Sequence, residues 1–210
     1  LMARNWLERF IQIGTSEMYG SVNHPTSELE PIKPTSPYAA SKVAFDMYLE
    51  SVFKFLHFPM NIIRPSNAYC PGQLLHRVIP KAVLCGLTGQ VLPLHGGGRA
   101  EKSYIHARDL ARAIHIVSEK APLGEIYNAG PLNPTSIREV VERTANALSI
   151  PFEKLCTMTD DRLGQDSKYW LDSSKIKKEL GWVPEIDWDE GLAEMVAWGR
   201  KYLPEIRNAP

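Results

Sequence analysis

Tyr38 and Lys42 are the two residues whose types and spacing most directly suggest chemistry. They lie four positions apart in a stretch without a helix breaker, so a helix would place the phenol and the ammonium on one face. An ammonium held beside a phenol favours the phenolate, which is a base that can take a proton from a sugar hydroxyl. The plain alternative is a tyrosine and a lysine that merely share a helix face, and the spacing alone does not exclude it.

Ser36 and Pro37 mark the beginning of this helix, because serine is a good N-cap and proline fits the first helical turn. The helix is predicted to run from Pro37 to about Leu56. Apolar side chains occupy most of its circumference, which predicts burial on more than one side: one against the sheet, the other against a partner helix or inside a monomer. Its charged residues recur at every fourth position and form one narrow polar stripe: Lys42, Asp46, Glu50 and Lys54.

A second polar group, Thr15-Ser16-Glu17, follows the short apolar run Phe10–Ile13, which predicts a strand. Ligands in open α/β sheets bind just past the carboxyl ends of parallel strands, so these three side chains are candidates for a site. The alternative is a polar loop that caps a strand end and has no further role. The polar, proline-containing segment at 21–35, after Gly20, is predicted to form a long loop over the site.

Strands and helices alternate along the rest of the chain, which predicts an α/β fold with a parallel sheet. Short apolar runs predict strands at 59–63, 91–94 and 126–128. Periodic segments with capping residues predict helices at 78–87, 109–119, 136–148, 175–180 and 189–203.

The composition narrows the classes of function. The 210 residues include 24 basic and 24 acidic side chains without any basic block, so nucleic acid is not an expected partner. Neither a membrane span nor a signal peptide is predicted, because the sequence contains no sufficiently long apolar run. The 3 cysteines lack metal-ligand spacing and indicate a reducing cytoplasm. The 6 histidines are scattered, so no metal site is predicted.

Several segments resemble one enzyme family when they are taken together and in order: Gly14–Gly20, the Tyr38–Lys42 helix start, Ile62–Gly72, Lys102–Asp109, Tyr127–Gly130 and Asp161–Tyr169. The resemblance is to the extended short-chain dehydrogenase/reductases of the NAD-dependent epimerase/dehydratase family. Within that family it is nearest to the nucleotide-sugar 4,6-dehydratases, such as dTDP-glucose 4,6-dehydratase. No single motif is specific, but the combination is, and it covers nearly the whole chain.

The resemblance implies the C-terminal part of a Rossmann-like, doubly wound parallel sheet plus a smaller α/β substrate-binding domain. Residues 1–71 would form the second half of the NAD-binding domain. Residues 72–210 would mainly bind the nucleotide sugar, with about 103–120 returning to the Rossmann domain. The glycine-rich turn that cradles a dinucleotide pyrophosphate is missing, and Gly96–Gly98 reads as a turn between strands. The chain is therefore expected to be a fragment that lacks roughly a hundred preceding residues.

The resemblance also implies catalytic roles. Thr15 would hydrogen-bond the sugar O4, Tyr38 would remove the O4 proton while hydride leaves C4, and Lys42 would hold the ribose and favour the phenolate. Glu17 would then take the acidified C5 proton. Dehydratases that act on dTDP-glucose have an aspartate as the general acid where this chain has Ser16, and serine is far too weak an acid to replace it. The same Thr-Ser-Glu sequence occurs in GDP-mannose 4,6-dehydratases and in UDP-glucuronate decarboxylases.

Further residues match positions that contact ligands in the family. NAD is expected to contact Tyr38, Lys42, Pro65 and Asn67. The nucleotide sugar is expected to contact Asn67, Arg77, Lys102, Arg162 and Tyr169. Lys102 stands where arginine is usual, and the alternative for Arg77 and Lys102 is a solvated surface cation. Cys70 stands where glycine is usual. The helix Tyr38–Leu56 takes part in a dimer-forming bundle in the family, so a homodimer is expected.

Three hypotheses of function stay open at this stage. The first is a nucleotide-sugar 4,6-dehydratase, which uses NAD in a redox-neutral cycle. The second is a UDP-glucuronate decarboxylase or a nucleotide-sugar 4-epimerase built on the same tyrosine–lysine oxidation. The third is a catalytically silent remnant that binds a nucleotide sugar or a partner helix, and the missing pyrophosphate cradle gives it weight.

Overall fold

A computed structural model describes residues 7–160 and 167–207, and the chain divides into two compact units. Unit 1 contains residues 7–68, Lys102–Pro134 and residues 167–184. Unit 2 contains Tyr69–Glu101, residues 135–160 and residues 185–207. The predicted division by function, with NAD bound before residue 72 and sugar mainly after it, stays a prediction.

The helices and strands predicted from the sequence lie close to their predicted positions, and the structure adds several short elements that were not predicted. The α-helices are α1 (Pro37–Leu56), α2 (Val78–Thr88), α3 (Ala107–Lys120), α4 (Ile137–Leu148), α5 (Phe152–Leu155), α6 (Ser174–Leu180) and α7 (Trp188–Arg207). The strands are β1 (Phe10–Ile13), β2 (Met60–Pro65), β3 (Asn67–Tyr69), β4 (Leu92–His95), β5 (Glu101–Lys102), β6 (Tyr104–His106), β7 (Ile126–Ala129), β8 (Thr135–Ser136), β9 (Cys156–Thr159) and β10 (Lys168–Tyr169). Two short 3-10 helices span Ser16–Tyr19 and Gly96–Gly98.

A parallel three-stranded sheet in the order β1-β2-β7 forms the centre of unit 1. Phe10 pairs with Met60 at one end of the first ladder, and Pro65 pairs with Ala129 at the end of the second. The side chains of β2 are buried up to Arg64. Burial on both faces is typical of parallel sheets covered by helices. The parallel pairing confirms the predicted α/β class.

Helix α1 begins and ends where its sequence requires. The Ser36 hydroxyl accepts a hydrogen bond from the Ala39 amide at 3.1 Å, and Pro37 occupies the first turn. The helix ends at His57, which adopts the left-handed conformation with φ 52°. Only one side of the helix is buried within the chain, so the alternative of a helix buried on two sides inside a monomer is wrong, while burial of the second side against a partner helix stays a prediction. The buried side carries Ala39, Val43, Asp46 and Leu49.

Helices α3 and α6 complete unit 1 by packing against β2 and β7. Their apolar residues share one cluster with the sheet, in which Ile63, Val117 and Ile176 are fully buried. The Tyr127 hydroxyl donates to the Glu179 carboxylate at 2.8 Å and so links β7 to α6.

Unit 2 is built from α2, α4, α5 and α7 around the parallel pair β4–β9. Its core includes Leu92, Val141 and Leu155. Gly86 allows a close approach of α2 and α4, because a Cβ added there would lie 2.5 Å from Leu148 Cδ1. Strand β9 was not predicted from the sequence.

The sequence at residues 1–6 predicts the tail of a helix, and these residues lie outside the part of the chain that the structure describes. Residues 21–35 form the predicted long loop, which contains no helix and only an isolated bridge at Thr26. Of the helices formed by the described residues, none has both the length and the apolarity needed to cross a bilayer.

Replacing Leu49 by alanine tests which side of α1 supports the fold. Leu49 is 3% exposed and packs in a cluster with Met60 and Ile62, so Leu49→Ala is expected to lower the free energy of unfolding by about 2–5 kcal/mol. Leu56→Ala is the matched control, because Leu56 is 62% exposed at the end of the same helix, and it should change stability by about 0.5 kcal/mol or less. Urea denaturation at one low protein concentration measures both. Equal losses would contradict the assignment of the buried side.

Candidate functional site

The turn after β1 carries Thr15, Ser16 and Glu17. Gly14 continues the ladder, since its amide donates to the Ile63 carbonyl at 2.7 Å. Thr15 then caps the first 3-10 helix, because its Oγ1 accepts a hydrogen bond from the Glu17 amide at 3.2 Å. Thr15 and Ser16 are buried and Glu17 is half-buried. The structure therefore places all three side chains past the C-terminal end of a parallel strand, where such sheets bind ligands.

Lys42 joins the beginning of α1 to the end of β1. Its Nζ donates to the Ile13 carbonyl at 2.8 Å. Tyr38 lies one turn earlier on the same helix face, and its side chain is 51% exposed. The face that Tyr38 and Lys42 share is thus held at the strand end that leads into Thr15.

Buried polar atoms collect at the end of β2. The backbone N–H of Asn67 donates to the Ser103 carbonyl at 3.0 Å. The Asn67 Nδ2, Ser66 Oγ and Ser103 Oγ atoms are buried, and none of them has a hydrogen-bond partner among the described residues. Buried polar atoms normally have partners, so these atoms identify a place where a polar ligand or water would bind. Pro65, a predicted cofactor contact, pairs with Ala129 just before them.

The structure brings two of the predicted sugar-nucleotide residues together. Lys102 Nζ lies 4.8 Å from the centroid of the Tyr169 ring, which is a cation–π distance. Tyr169 is buried and Lys102 is half-buried. Their pairing was not predicted, because nothing in the local sequence relates two residues so far apart in the chain.

Arg77 belongs to unit 2, where it is exposed and precedes α2 without making a side-chain capping bond. Arg162 lies outside the described residues.

A polar network that sequence reasoning missed lies beneath the site. We call four side chains, each at most 3% exposed, the polar network: Tyr19, Asp46, Arg64 and Asn128. Arg64 donates from Nε to Asp46 Oδ2 at 3.1 Å and from Nη1 to the Tyr19 hydroxyl at 2.9 Å. That hydroxyl donates in turn to Asn128 Oδ1 at 3.0 Å.

Burial controls ionisation in the polar network. Burial raises the pKa of Asp46 above its usual range, against the nearby Arg64 guanidinium, which lowers it. Burial also raises the pKa of the Tyr19 phenol, with Arg64 again opposing. Tyr19 is therefore neutral at physiological pH and can both accept from Arg64 and donate to Asn128.

One signal in the sequence could have revealed the polar network. Arg64 directly follows Ile62-Ile63, the end of the strand predicted at 59–63, and strands of parallel sheets are usually buried on both faces. A charged side chain in such a strand needs a partner of opposite charge. Asp46 was assigned only to a polar stripe of α1, whereas the structure buries it completely.

A cavity beside the loop 21–35 contains none of the predicted site residues. Its volume is ≈ 390 Å³. It is lined by Tyr19, Ser21, Val22, Asn23, His24, Thr26, Glu30, Pro31, Lys33 and Ser167. The cavity therefore does not bear on the catalytic roles predicted for Thr15, Tyr38 and Lys42.

The residues present suit the nicotinamide–ribose part of a dinucleotide. The Lys42 ammonium at the end of β1 suits ribose hydroxyls, and the unpartnered Asn67 Nδ2 donor at the end of β2 suits a polar acceptor. Both lie at the edge of the sheet where doubly wound folds bind nucleotides. The described residues include no glycine-rich strand-to-helix turn for a pyrophosphate.

Comparison with known proteins gives one matching family. The family model described as GDP-mannose 4,6 dehydratase matches residues 1–195. A dTDP-glucose 4,6-dehydratase of Streptomyces griseus is 33% identical over 200 residues, which cover 95% of this chain and 61% of that enzyme. The chain thus spans less than two thirds of this curated relative.

Solved structures share the fold closely. The dTDP-glucose 4,6-dehydratase of Streptomyces venezuelae, crystallised with NAD, is 32% identical with a TM-score of 0.88, covering 94% of this chain and 61% of that one. The UDP-glucose 4-epimerase of Thermotoga maritima, crystallised with UDP-glucose, is 28% identical with a TM-score of 0.89, covering 95% of this chain and 66% of that one.

Removing the charge of Arg64 tests whether the buried ion pair stabilises the fold. Arg64→Met leaves the Asp46 carboxylate buried without its partner, so the free energy of unfolding should fall by about 3–5 kcal/mol. Lys54→Met is the control, because it breaks a 4.0 Å pair with Glu50 in which the Lys54 side chain is 70% exposed. Its cost should be about 0.5 kcal/mol or less. Urea denaturation compares the two. An Arg64→Met cost no larger than that of Lys54→Met would contradict the importance of this pair.

Proposed function

The chain belongs to the GDP-mannose 4,6 dehydratase family, and on that basis we propose that it forms part of an NAD-dependent nucleotide-sugar 4,6-dehydratase. Because it spans only 61% of its Streptomyces griseus relative, the proposed activity is that of a protein in which this chain is joined to the rest of such an enzyme. The observation that carries the proposal is the 2.8 Å hydrogen bond from Lys42 Nζ to the Ile13 carbonyl. It holds the helix face of Tyr38 at the strand end that leads into Glu17.

Oxidation at C4 is the first proposed step. Thr15 Oγ1 accepts from the Glu17 amide, so the hydroxyl proton of Thr15 points to a different acceptor, and the proposed acceptor is the sugar O4. The Tyr38 phenolate takes the O4 proton while the C4 hydride leaves, and the Lys42 ammonium stabilises the phenolate. NAD, when bound, supplies the hydride acceptor at C4 and the hydride donor at C6.

Loss of water is the second proposed step. The C4 carbonyl makes the C5 proton acidic, because the resulting carbanion is delocalised as an enolate, and Glu17 takes that proton. The C6–O bond then breaks, and the oxygen leaves as water with the proton that Glu17 has just received. Ser16 is too weak an acid to supply this proton, so we assign it a hydrogen bond to the leaving oxygen. C5 regains a proton from solvent after hydride reaches C6, and the net change is the loss of one water.

Binding of the nucleotide sugar is assigned to residues outside this catalytic group. Asn67 offers its buried side-chain nitrogen, and Lys102 supplies a cation for the pyrophosphate. Arg77 keeps its proposed contact with the pyrophosphate from the sequence alone. Tyr169 lies beneath the Lys102 ammonium and fixes its position. Arg162 keeps its proposed contact with the nucleotide from the sequence alone. NAD is assigned to Tyr38, Lys42, Pro65 and Asn67.

Mass spectrometry of the products tests the proposed function. The chain, joined to the part of the Streptomyces griseus enzyme that it does not span, is incubated with NAD and with dTDP-, UDP- and GDP-sugars in turn. A product lighter by one water supports the 4,6-dehydratase. Calorimetry with NAD on the unjoined chain complements this assay, because tight binding would remove the need for the added segment.

A second candidate activity is the 4-epimerase, or the related decarboxylase. The likeness to the Thermotoga maritima UDP-glucose 4-epimerase favours it, and so does Ser16 at the position of a general acid. The same assay separates the candidates: unchanged mass with an inverted C4 indicates an epimerase, and loss of carbon dioxide indicates a decarboxylase. Absence of any product from every sugar indicates a catalytically silent protein.

Glu17→Gln separates the two proposed steps. The amide cannot take the C5 proton, so water loss should slow by about 10²–10⁴-fold while C4 oxidation continues. Absorbance of the reduced cofactor reports oxidation, and deuterium uptake at C5 from heavy water reports proton transfer. Glu30→Gln is the matched control, since Glu30 lies in the following loop against His24 and should leave both steps intact. Equal loss of both steps in Glu17→Gln would remove Glu17 from the role of C5 base.

A homodimer through α1 is proposed as the quaternary state. Aromatic and aliphatic side chains form an exposed stripe on the side of α1 opposite its buried residues. Phe45 and Tyr48 stack in this stripe, with ring centroids 6.1 Å apart. A stripe of this kind suits a second copy of the same helix, because symmetric dimers bury the same surface on both subunits. The exposed members are Phe45, Tyr48, Phe55 and Leu56.

Tyr48→Glu tests the dimer. A carboxylate in the middle of the stripe would be buried without a partner, so the dissociation constant should rise by at least about tenfold. Leu29→Glu is the control, because Leu29 is 96% exposed in the loop and should leave association unchanged. Sedimentation equilibrium measures both variants and the parent. A parent chain that stays monomeric at high concentration would contradict the proposal.

The proposed compartment is the cytoplasm. Cys70, Cys85 and Cys156 are all free thiols, and the last two are buried. Free thiols are typical of reducing compartments.

A further inference from the structure

The polar network connects segments that carry the catalytic side chains. Tyr19 lies in the same 3-10 helix as Ser16 and Glu17. Asp46 lies one turn after Lys42 on α1. Arg64 therefore hydrogen-bonds at once to the helix that bears the proposed phenolate and to the turn that bears the proposed C5 base.

The sheet fixes the position of the polar network. Arg64 and Asn128 are directly paired in the β2–β7 ladder. Asn128 makes two more hydrogen bonds that hold it in place. Its side-chain Nδ2 donates to the Thr26 carbonyl at 2.8 Å, and its backbone N–H donates to Glu28 Oε1 at 2.7 Å. The Tyr19 hydroxyl thus receives its orientation from two adjacent strands that do not themselves carry Glu17.

Arg64 and Asp46 also pack closely against the backbone at Gly14. A Cβ added to Gly14 would lie 3.1 Å from Arg64 Cγ and 3.3 Å from Asp46 Oδ2. The Arg64 guanidinium also lies 5.6 Å from the centroid of the Tyr19 ring. Gly14 directly precedes Thr15, so the arginine and aspartate fill the space immediately beneath the catalytic turn.

We propose that Tyr19, Arg64 and Asp46 are positioning residues, which fix the Tyr38–Lys42 face of α1 relative to the turn Thr15–Glu17. The inference rests on the proposed function, because it assumes that both segments act on one sugar. Proton removal at O4 and at C5 of one ring requires two bases at a fixed separation. A displacement of about 1 Å between such groups slows catalysis by about 10²-fold.

Directional hydrogen bonds explain why this role falls to a charged network. Apolar packing tolerates small shifts, and a buried ion pair is often no more stabilising than apolar residues of equal volume. Arg64 instead presents donors in a rigid planar fork, which it directs at Asp46 and Tyr19. The fork therefore sets the distance and the angle between α1 and the 3-10 helix.

Tyr19→Phe tests the proposal with a matched control in Tyr127→Phe. Both tyrosines are buried and each hydroxyl donates one side-chain hydrogen bond within unit 1, but Tyr127 donates to Glu179 on α6 and contacts neither catalytic segment through that bond. Kinetics are measured on the joined enzyme described above. Tyr19→Phe should lower kcat at least about tenfold with KM nearly unchanged, whereas Tyr127→Phe should lower it less than about twofold. The melting temperatures of the two variants should be similar.

Arg64→Lys provides a second variant, because it keeps the buried charge but loses the planar fork. It should reproduce the loss in kcat. Equal kcat values for Tyr19→Phe and Tyr127→Phe would overturn the proposal. Failure of both Tyr19→Phe and Arg64→Lys to fold would also overturn it, because the network would then serve the stability of the fold.

Hydrogen exchange on this chain without substrate separates the proposal from the proposed function. Tyr19→Phe should speed exchange at least about tenfold in the turn 15–20 and in the first turns of α1, while Tyr127→Phe should affect β7 and α6. This pattern would support positioning even if the parent enzyme released no product from any sugar, an outcome that refutes the proposed function alone. Uniformly faster exchange across unit 1 in both variants would refute positioning.

Discussion

The need to satisfy one buried charge organises the region around the site. Arg64 is 1% exposed in a strand whose neighbours are aliphatic, and an unpaired guanidinium there would be prohibitively costly. The chain meets this need with Asp46 from α1 and with the Tyr19 hydroxyl from the turn after β1. Because these partners come from different segments, satisfying the charge also assembles the segments. The position of α1 over the sheet thus follows from electrostatics as well as from the apolar contacts of Leu49.

The parallel sheet explains why the assembled segments meet at one edge. The carboxyl ends of parallel strands lie at the same edge of the sheet, so the residues that follow β1 and β2 lie near each other. Thr15 follows β1 and Asn67 follows β2, and Lys42 reaches the same edge through the Ile13 carbonyl. Each side chain has a local reason for its place: a cap for Thr15, a ladder bond for Asn67 and a strand-end carbonyl for Lys42.

The elements with strong local signals could be predicted from the sequence. Ser36 and Pro37 fix the start of α1, and the apolar runs Phe10–Ile13 and Ile126–Asn128 lie inside the observed strands β1 and β7. Strand β9 could not be predicted in this way. Its residues Thr157 and Met158 are exposed, and it forms because β4 offers a parallel edge. Pairing with a distant strand leaves no trace in a short window of sequence.

The features of the site also differ in whether local sequence predicts them or whether they depend on residues that are distant in the chain. The four-residue spacing of Tyr38 and Lys42 predicts their shared face, since helix geometry is local. The contact of Lys102 with Tyr169 depends on the fold of unit 1, and so does the burial of Asp46. Asp46 belongs to a repeating pattern of helix charges that ordinarily indicates a solvated stripe, whereas Arg64 interrupts an apolar strand. The anomaly in the strand is the more informative signal, because desolvation obliges a buried charge to find its partner while an exposed one needs none.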